Sequence, residues 1–304
     1  MFRNVLVGVD GRPNGRDAIE LAARLIDRDE GSLTLAHVHP GSLSPTHALA
    51  PDRAREEQAA SSELLERERA QADVTAELVS VTAVSPGRGL HEQAEAQGAD
   101  LLVVGSSSHG LLGRAMLGDD TRSSLNGAPC AIAIAARGYG ERPTPLATIG
   151  VGYDESPEST AALGMAKEIA QVHKARVTAL DVVSLPTYSF MGLMAPALGD
   201  SINLMLEETN ERISQLPGVD ARAVYGLPGE ELAAFGDEVD LLVVGSRSYG
   251  PWRRLVLGST SNYLQRHARC CLLVLPRVAR ASEASERDSA DARAQTLTSP
   301  RSSA

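Results

Sequence analysis

The heptapeptide DLLVVGS occurs twice in this chain of 304 residues, at residues 100–106 and again at residues 240–246. Further residues recur at the same offset of 140, among them Gly118 with Gly258 and Cys130 with Cys270. A constant offset between similar segments indicates an internal duplication. The sequence therefore predicts two copies of one domain, which agrees with the usual domain size of about 150 residues.

Short apolar runs alternate with helical patterns in both copies. In the first copy, VLVGV at 5–9 predicts a strand, DAIELAARLI at 17–26 a helix, and LTLAHV at 33–38 a second strand. Apolar strands separated by helices are typical of a parallel sheet with right-handed crossovers. The predicted fold class is α/β, with two tandem doubly wound domains that each contain a five-stranded parallel sheet.

The remaining elements follow from periodicity and from turn residues. Predictions for the first copy are a surface helix at 52–71, a strand at 74–84, a helix at 87–97, a strand at 101–105, a helix start at 121–126 and a strand at 130–135. In the second copy, TIGVGYDESP at 148–157 mirrors NVLVGVDGRP at 4–13. The predictions that follow it are a helix at 158–173, a strand at 176–183, a helix at 201–216, a strand at 221–224, a helix at 230–235 and strands at 241–245 and 271–275. The stretch 184–199 lacks periodicity, and either covers its own core or meets a partner.

Composition places the domain boundaries. Residues 1–137 form the first predicted domain, the Gly- and Pro-containing segment 138–146 a linker, and residues 147–278 the second domain. Residues 279–304 are rich in Ser, Ala, Arg, Asp and Glu. Such a composition cannot bury a core, so a disordered tail is expected.

Charge and residue usage narrow the class of protein. A net charge of −10 and only 3% aromatic residues disfavour nucleic acid as the main partner. No apolar run approaches the roughly 18 residues of a membrane span, and the beginning of the chain lacks a signal-peptide pattern, so a cytoplasmic protein is expected. Three cysteines without C-x-x-C spacing argue against a disulfide framework or a structural zinc site, and predict buried thiols.

A glycine-bearing loop follows each copy of the heptapeptide: GSSSHGLLGRAMLGDD at 105–120 and GSRSYGPWRRLVLGST at 245–260. Such loops present backbone N–H groups to ligands. In the second loop, Ser259 or Thr260 is a candidate cap for a helix whose N-terminus would favour an anion. Nearby arginines could face phosphates, namely Arg247, Arg253 and Arg254. The spacing alone leaves open that these glycines serve tight turns and that Ser259 is only a cap.

Known catalytic and nucleotide signatures are missing. The sequence contains no G-x-x-x-x-G-K-[ST], no G-x-G-x-x-G after its first strands, no G-x-S-x-G and no H-E-x-x-H. Structural or surface roles are expected for the scattered histidines, such as His37, His39, His91 and His109. In a doubly wound sheet, ligands lie outside the carboxyl ends of the strands. The site is therefore expected where Asp10 and Gly105 end their strands, and at Asp154 and Gly245 in the second copy.

This combination of motifs resembles the universal stress protein family in its tandem form. The resemblance rests on a strand ending in Asp, on DLLVVGS, on a pattern close to G-x-x-G-x9-G-[ST] and on a final short strand. It implies a Rossmann-like, adenine nucleotide alpha hydrolase-like fold that binds ATP with Mg²⁺. By this resemblance, the carboxylate and a backbone group of the second strand hold adenine and ribose, and the loop holds the phosphates. The positions that take these roles are Gly8, Asp10, Val38, Gly105 and Gly118 in the first half, and Gly152, Asp154, Val182, Gly245, Gly258 and Ser259 in the second, with Arg247 and Thr260 beside them.

Both loops depart from the family pattern. Serine replaces the second glycine, at Ser108 and Ser248. In the first half Asp119 replaces the Ser or Thr after Gly118, and carboxylates there repel phosphates unless a divalent cation intervenes. The second site is therefore predicted to bind ATP better than the first.

The expected function is ATP binding in stress response or regulation, expressed through conformation or an unknown protein partner. No arrangement of acid, base and nucleophile suits fast turnover, although slow ATP hydrolysis stays open. A nucleotide-free dimerisation scaffold is an alternative, and adenylylation on a related fold is a weaker one because an S-G-G-x-D-S-like loop is missing. The apolar runs AIAIAA and CLLVLP predict that the last strands pair, either between the halves or between the chains of a homodimer.

Overall fold

A computed structural model describes residues 1–40, 51–106, 127–141, 145–184, 195–246, 255 and 258–277 of the chain. Several predicted features lie outside the described residues. They are the helix start at 121–126, the tail at 279–304, most of the stretch 184–199, and the candidate site residues Ser108, Gly118, Asp119, Arg247, Ser248, Arg253 and Arg254.

Strands and helices alternate in both halves, as the apolar pattern predicts. The first half contains β1 (Asn4–Gly8), α1 (Pro13–Leu25), β2 (Ser32–His39), α2 (Pro51–Ala72), β3 (Glu77–Thr82), α3 (Pro86–Gln97), β4 (Leu101–Gly105) and β5 (Ala131–Ala135). The second half contains β6 (Thr148–Gly152), α4 (Pro157–His173), β7 (Arg176–Val183), α5 (Ala195–Ser214), β8 (Asp220–Tyr225), α6 (Pro228–Phe235), β9 (Leu241–Gly245), α7 (Ser259–His267) and β10 (Cys271–Leu275).

The strands form one continuous ten-stranded sheet in the order β3-β2-β1-β4-β5-β10-β9-β6-β7-β8. Within each half all pairs are parallel, and the strand order reverses between β1 and β4 and between β6 and β9. Ligands of open α/β sheets bind at such reversal points. The doubly wound α/β class predicted from the sequence is confirmed.

An antiparallel pair joins the two halves, because β5 lies beside β10 with Ala133 opposite Leu273. Of the two pairings that the apolar runs left open, the chain forms the one between its own halves. Since the pair is antiparallel, all strands of the first half run opposite to those of the second. The carboxyl ends of β1 and β4 therefore lie at one edge of the sheet, and those of β6 and β9 at the other.

Helices cover both faces of the sheet and bury two apolar clusters. One cluster packs α1 and α4 on the sheet, with fully buried Ile19 and Ile169, and runs without interruption from one half to the other. The opposite cluster packs α3, α6 and α7, with Leu90, Leu232 and Leu264. Strands that are buried on both faces explain why β4 and β9 are apolar at nearly every position.

The first residue of each heptapeptide is an aspartate that connects neighbouring strands at their amino ends, away from the carboxyl ends where the site is expected. The carboxylate of Asp100 accepts hydrogen bonds from the backbone N–H groups of Arg3 (2.7 Å) and Asn4 (3.0 Å). In the second half, Asp240 accepts from the N–H groups of Ala147 (3.0 Å) and Thr148 (2.8 Å). The aspartate is therefore structural, and it explains why the repeat begins one residue before the strand.

The segment predicted as a linker packs against the protein. Tyr139 and Leu146 are buried, and the carboxylate of Asp17 in α1 accepts hydrogen bonds from the N–H groups of Gly138 (2.9 Å) and Gly140 (2.6 Å). Burial raises the pKa of Asp17, although these two hydrogen bonds oppose that effect. The Gly and Pro content on which the linker prediction rests gave no sign of this burial.

Several element boundaries differ from the sequence prediction, and those of α5 and β3 have a physical explanation. Helix α5 begins at Ala195, within the stretch 184–199 that shows no periodicity, and six residues before the predicted start. Strand β3 ends at Thr82 because Ser85 caps α3 shortly afterwards, which leaves Val84 70% exposed.

The cysteines are free and buried. Burial raises the pKa of Cys130, Cys270 and Cys271 to about 12. Thiols with such pKa values are poor nucleophiles near neutral pH, and they serve here as small apolar side chains.

Candidate functional site

A cavity of about 610 Å³ lies at the carboxyl ends of β6, β7 and β9, where the strand order of the second half reverses. Residues from five separate segments of the chain line it, including the first turns of α4, α6 and α7. The structure brings together the predicted site residues of this half that it describes: Gly152, Asp154, Val182, Gly245, Gly258, Ser259 and Thr260.

Asp154 follows β6 and is held by the residues that start α4. Its Oδ1 accepts hydrogen bonds from the N–H (3.1 Å) and Oγ–H (2.5 Å) of Ser156. Loss of surrounding water raises the pKa of Asp154, but hydrogen bonds from Ser156 and Ser159 outweigh this effect and keep the pKa below its usual value. Asp154 therefore presents a carboxylate at the cavity at neutral pH.

Val182 lies where β7 extends past its neighbour β6. The carbonyl of Leu180 accepts from the N–H of Tyr153 at 3.0 Å, and β6 ends at Gly152. Alternate residues of a strand direct their backbone groups to the same side, so the N–H and C=O of Val182 point towards the cavity beyond the end of β6. A planar heterocycle can form hydrogen bonds with such a strand edge.

Helix α7 begins differently from the prediction. Gly258 occupies the N-cap position with extended backbone (φ −73°, ψ 176°), and Ser259 is the first helical residue. The prediction that Ser259 or Thr260 caps the helix is therefore wrong, because the extended residue comes one position earlier. Glycine has no side chain to accept from the first-turn N–H groups, so Gly258 gives no side-chain cap to the N-terminus of α7, which faces the cavity.

The glycines that end the strands have packing roles as well. A Cβ at Gly245 would lie 2.8 Å from the backbone of Glu158, and one at Gly105 would overlap the backbone of Asn14. Each glycine therefore lets the first turn of a helix that follows the neighbouring strand, α4 after β6 or α1 after β1, approach the sheet closely. Similarly, a Cβ at Gly8 would meet Leu90 at 2.9 Å, and one at Gly152 would meet Leu232 at 3.1 Å.

Asp181 lines the cavity, although the sequence motifs did not identify it as a site residue. It precedes Val182 in β7, is 9% exposed, and lies 3.6 Å (Oδ2 to Nη2) from Arg212 of α5. Arg212 also contacts Glu155 (Nε to Oε1, 2.9 Å). Burial raises the pKa of Asp181. The nearby carboxylates of Asp154 and Glu155 raise this pKa further, whereas the charge of Arg212 lowers it. The sequence held one indication of its role, because Asp181 is a charged residue inside the apolar strand RVTALDVV.

The first half places its predicted residues at the corresponding strand ends. Gly8 and Gly105 end β1 and β4, and Val38 lies near the end of β2. Oδ1 of Asp10 accepts from the N–H of Arg12 at 3.1 Å, and Arg12 Nε lies 3.9 Å from Oδ2. The chemistry around Asp10 therefore differs from the serine-rich surroundings of Asp154.

Two histidines occupy β2 in the first half and bind it to α2. His37 Nδ1 lies 2.9 Å from Ser61 Oγ, and His39 Nε2 lies 3.0 Å from Gln58 Oε1. Burial lowers the pKa of His37. These contacts are consistent with the structural roles expected for both residues.

Comparison with known proteins agrees with this architecture. The model of the universal stress protein family matches residues 1–135 and 146–276. The universal stress protein Rv1996 of Mycobacterium tuberculosis is 27% identical over 289 residues, which span 84% of this chain and 90% of that protein. A universal stress protein from Thermus aquaticus is 30% identical over 119 residues, 36% of this chain and 85% of the relative.

A solved structure shows the same fold. The universal stress protein of Archaeoglobus fulgidus DSM 4304 superimposes with a TM-score of 0.64 at 16% identity, covering 90% of this chain and 98% of that one. The chain thus consists of two α/β domains of one kind. It belongs to the universal stress protein family, as a tandem two-domain member.

Proposed function

We propose that the second half of the protein binds ATP, with Mg²⁺, and that the protein acts in stress response through nucleotide-dependent conformation or partner binding. One observation carries this proposal: a single cavity combines the Asp154 carboxylate, the backbone edge at Val182 and the N-terminus of α7, where the N-cap residue is a glycine. The three features match the ribose hydroxyls, the base and the phosphates of a nucleotide, respectively.

The size of the cavity supports a ligand of this class. Pockets for small molecules and cofactors usually measure about 300–1,000 Å³, and this one measures about 610 Å³. Apolar side chains, Leu180, Leu232 and Val244, line it beside the polar groups. An adenine ring can bury its faces against such side chains while its edge meets Val182.

The charge of the cavity explains why a divalent cation is part of the proposal. Its described lining contains the carboxylates of Asp154, Glu158 and Asp181 and no lysine or arginine. Across the described ranges, His, Cys, Asp and Glu side chains do not form a group of three that could hold a metal ion. Mg²⁺ would therefore arrive bound to the phosphates, which is its usual mode. Arg247, which follows the cavity residue Ser246 in the sequence, is proposed to contact the phosphates as well.

A dimerisation scaffold without nucleotide is less well supported. The apolar strands β5 and β10, which would serve such a scaffold, pair with each other inside one chain. Within the described ranges, no helix combines the length and apolar character that a membrane span needs. We place the protein in the cytoplasm as part of the proposal.

Mass spectrometry of nucleotide released from the purified full-length chain tests the proposal. We expect ATP in the released fraction, and titration calorimetry with Mg²⁺ and ATP should give saturable binding. A steady-state phosphate-release assay on the same sample separates binding from slow hydrolysis. Absence of both released nucleotide and calorimetric binding would contradict the proposal.

A further inference from the structure

Two residues of the first half lie at the edge of the sheet that carries the cavity of the second half. Because β5 and β10 are antiparallel, with Ile132 opposite Val274, the amino end of β5 lies beside the carboxyl end of β10. Strand β10 is parallel to β9, whose carboxyl end lines the cavity. Gly127 and Ala128, which precede β5 in the chain, therefore lie at the cavity edge of the sheet although they belong to the other half.

A pair of backbone hydrogen bonds connects these two residues to the segment that leads into α7. The N–H of Gly127 donates to the carbonyl of Leu255 at 2.9 Å, and the N–H of Leu255 donates to the carbonyl of Ala128 at 2.9 Å. The side chains of Leu255 and Ala128 are fully buried, in the same apolar cluster as Leu264 of α7. This contact, the inter-half bridge, therefore holds Leu255 through its backbone and through its side chain.

The inter-half bridge lies close to the cavity along the chain. Leu255 is three positions before Gly258, the N-cap residue of α7, and both Gly258 and Ser259 line the cavity. Three residues of extended chain span at most about 10 Å. The position of Leu255 therefore limits where the N-terminus of α7 can lie in the cavity, and residues of the first half fix that position.

We propose that Gly127 and Ala128 are positioning residues for the nucleotide site of the second half, and that a ligand bound there stabilises the inter-half bridge in return. The assignment rests on the proposed function, because it takes the N-terminus of α7 as part of that site. Linkage makes the two effects equal: the factor by which an intact bridge strengthens ligand binding is the factor by which the bound ligand stabilises the bridge. The first half thereby contributes to the second site through α7.

Hydrogen exchange of the full-length chain, followed by mass spectrometry, tests the return effect. ATP with Mg²⁺, at about ten times its dissociation constant, should slow exchange of the Gly127 amide about fivefold. The Gly98 amide, which donates to Glu95 within the first half, should exchange at the same rate with and without ATP. In the Ser259→Asp variant, whose second site is weakened, the same ATP concentration should no longer protect Gly127. Protection that survives in this variant would come from the first half's own site and would overturn the proposal.

Gly127→Ala tests the positioning role. Gly127 has φ 89°, and a Cβ there would meet no atom within 4 Å, so alanine strains the backbone of the bridge without a clash. The variant should weaken ATP about fivefold in calorimetry. Gly98→Ala is the matched control, because Gly98 also has positive φ (63°) and open surroundings but ends α3. Both variants should lower the melting temperature by about 2 °C, and only Gly127→Ala should change the affinity for ATP.

The outcomes separate this proposal from the proposed function. Equal ATP affinity for Gly127→Ala and Gly98→Ala overturns the positioning role. Unchanged exchange of the Gly127 amide, in a sample where calorimetry shows bound ATP, overturns the proposal by linkage, and this measurement on the wild type decides even where Gly127→Ala does not fold. If the wild type binds no ATP in calorimetry, the proposed function itself fails, and the assignment with it.

Discussion

The turn after the first strand of each half has the same backbone shape but a different residue. Gly11 follows Asp10 with φ 73°, and Glu155 follows Asp154 with φ 61°. Glycine adopts this left-handed conformation without strain, whereas glutamate adopts it at some cost. In the second half, the ion pair between Glu155 and Arg212 accompanies that strain. The comparison shows that both halves share the left-handed turn, while its side chain forms an ion pair only in the second half as far as the described residues show.

The strand beside that turn shows the same divergence. His37 in β2 and Asp181 in β7 both immediately precede the valine whose backbone edge was assigned to the base. His37 contacts Ser61 of α2, whereas Asp181 faces the cavity near Arg212. In the first half, the residue at this position therefore contacts a helix. In the second half, it places a carboxylate at the cavity.

Exchanging the residues after the last loop glycine should change binding most. Ser259→Asp places a carboxylate at the N-terminus of α7, where it would repel phosphates, and we expect ATP affinity to fall about 100-fold. Asp119→Ser, the reciprocal change, should add ATP binding to the first half. Nucleotide counted per chain by mass spectrometry and calorimetry checks both. Unchanged occupancy in both variants would show that these residues do not distinguish the halves.

Neutralising the aspartate after the first strand should have the next largest effect. Asp154→Asn removes a charged acceptor of the ribose hydroxyls and should weaken ATP about tenfold in calorimetry. The matched variant Asp10→Asn should change the affinity of the tight site less than about twofold, since the first half is predicted to bind ATP less well. Equal losses in the two variants would mean that both halves contribute to one measured affinity.

Backbone strain should separate the halves by a smaller amount. Gly11→Ala introduces a Cβ at positive φ that also lies 2.9 Å from Leu64 Cδ1, and should lower the free energy of unfolding by about 1 kcal/mol. Glu155→Gly relieves backbone strain but loses an exposed ion pair, and should change the free energy of unfolding by less than about 1 kcal/mol. Urea unfolding of both variants provides the measurement. A larger loss for Glu155→Gly than for Gly11→Ala would contradict the strain argument.

The pH dependence of Asp181 should give the smallest effect. Its pKa is raised in the folded state, so its contribution to stability is present below the unfolded pKa and is lost as pH rises through the folded pKa. Asp181→Asn should therefore stabilise the ligand-free protein at pH 7 by under about 1 kcal/mol, and the gain should shrink towards pH 4. Urea unfolding at both pH values decides this, and a gain that grows on acidification would reverse the assigned sign.

Much of the fold is predictable from the sequence, because apolar strands end abruptly at charged or glycine residues. The bounds of β4, β7, β9 and β10 agree with the structure to the residue. The convergence of Asp154, Val182 and Gly258 on one cavity was also expected, since doubly wound sheets gather their carboxyl ends. Neither result needed knowledge of side-chain contacts.

Other features could not be predicted because they depend on contacts between distant segments. Nothing local shows that Tyr139 packs, or which of the two predicted pairings the last strands form. Asp181 and Ser246 belong to apolar runs whose periodicity concerns the core, so their access to the cavity appears only in three dimensions. The early start of α5 was hidden because its first turn follows an apolar stretch without helical spacing.

The two halves pair through β5 and β10 and also belong to one covalent chain, which frees them from symmetry. In a homodimer that pairs identical edge strands, every substitution appears twice, and both sites must change together. Here each half is encoded separately, so a substitution in one half leaves the other half unchanged. The second strand of each half is an example, because the first half has a histidine where the second has an aspartate. The pairing also persists at any dilution, because the partners are tethered to each other. A fused pair of this kind can keep one site for a ligand while the other is released from that duty.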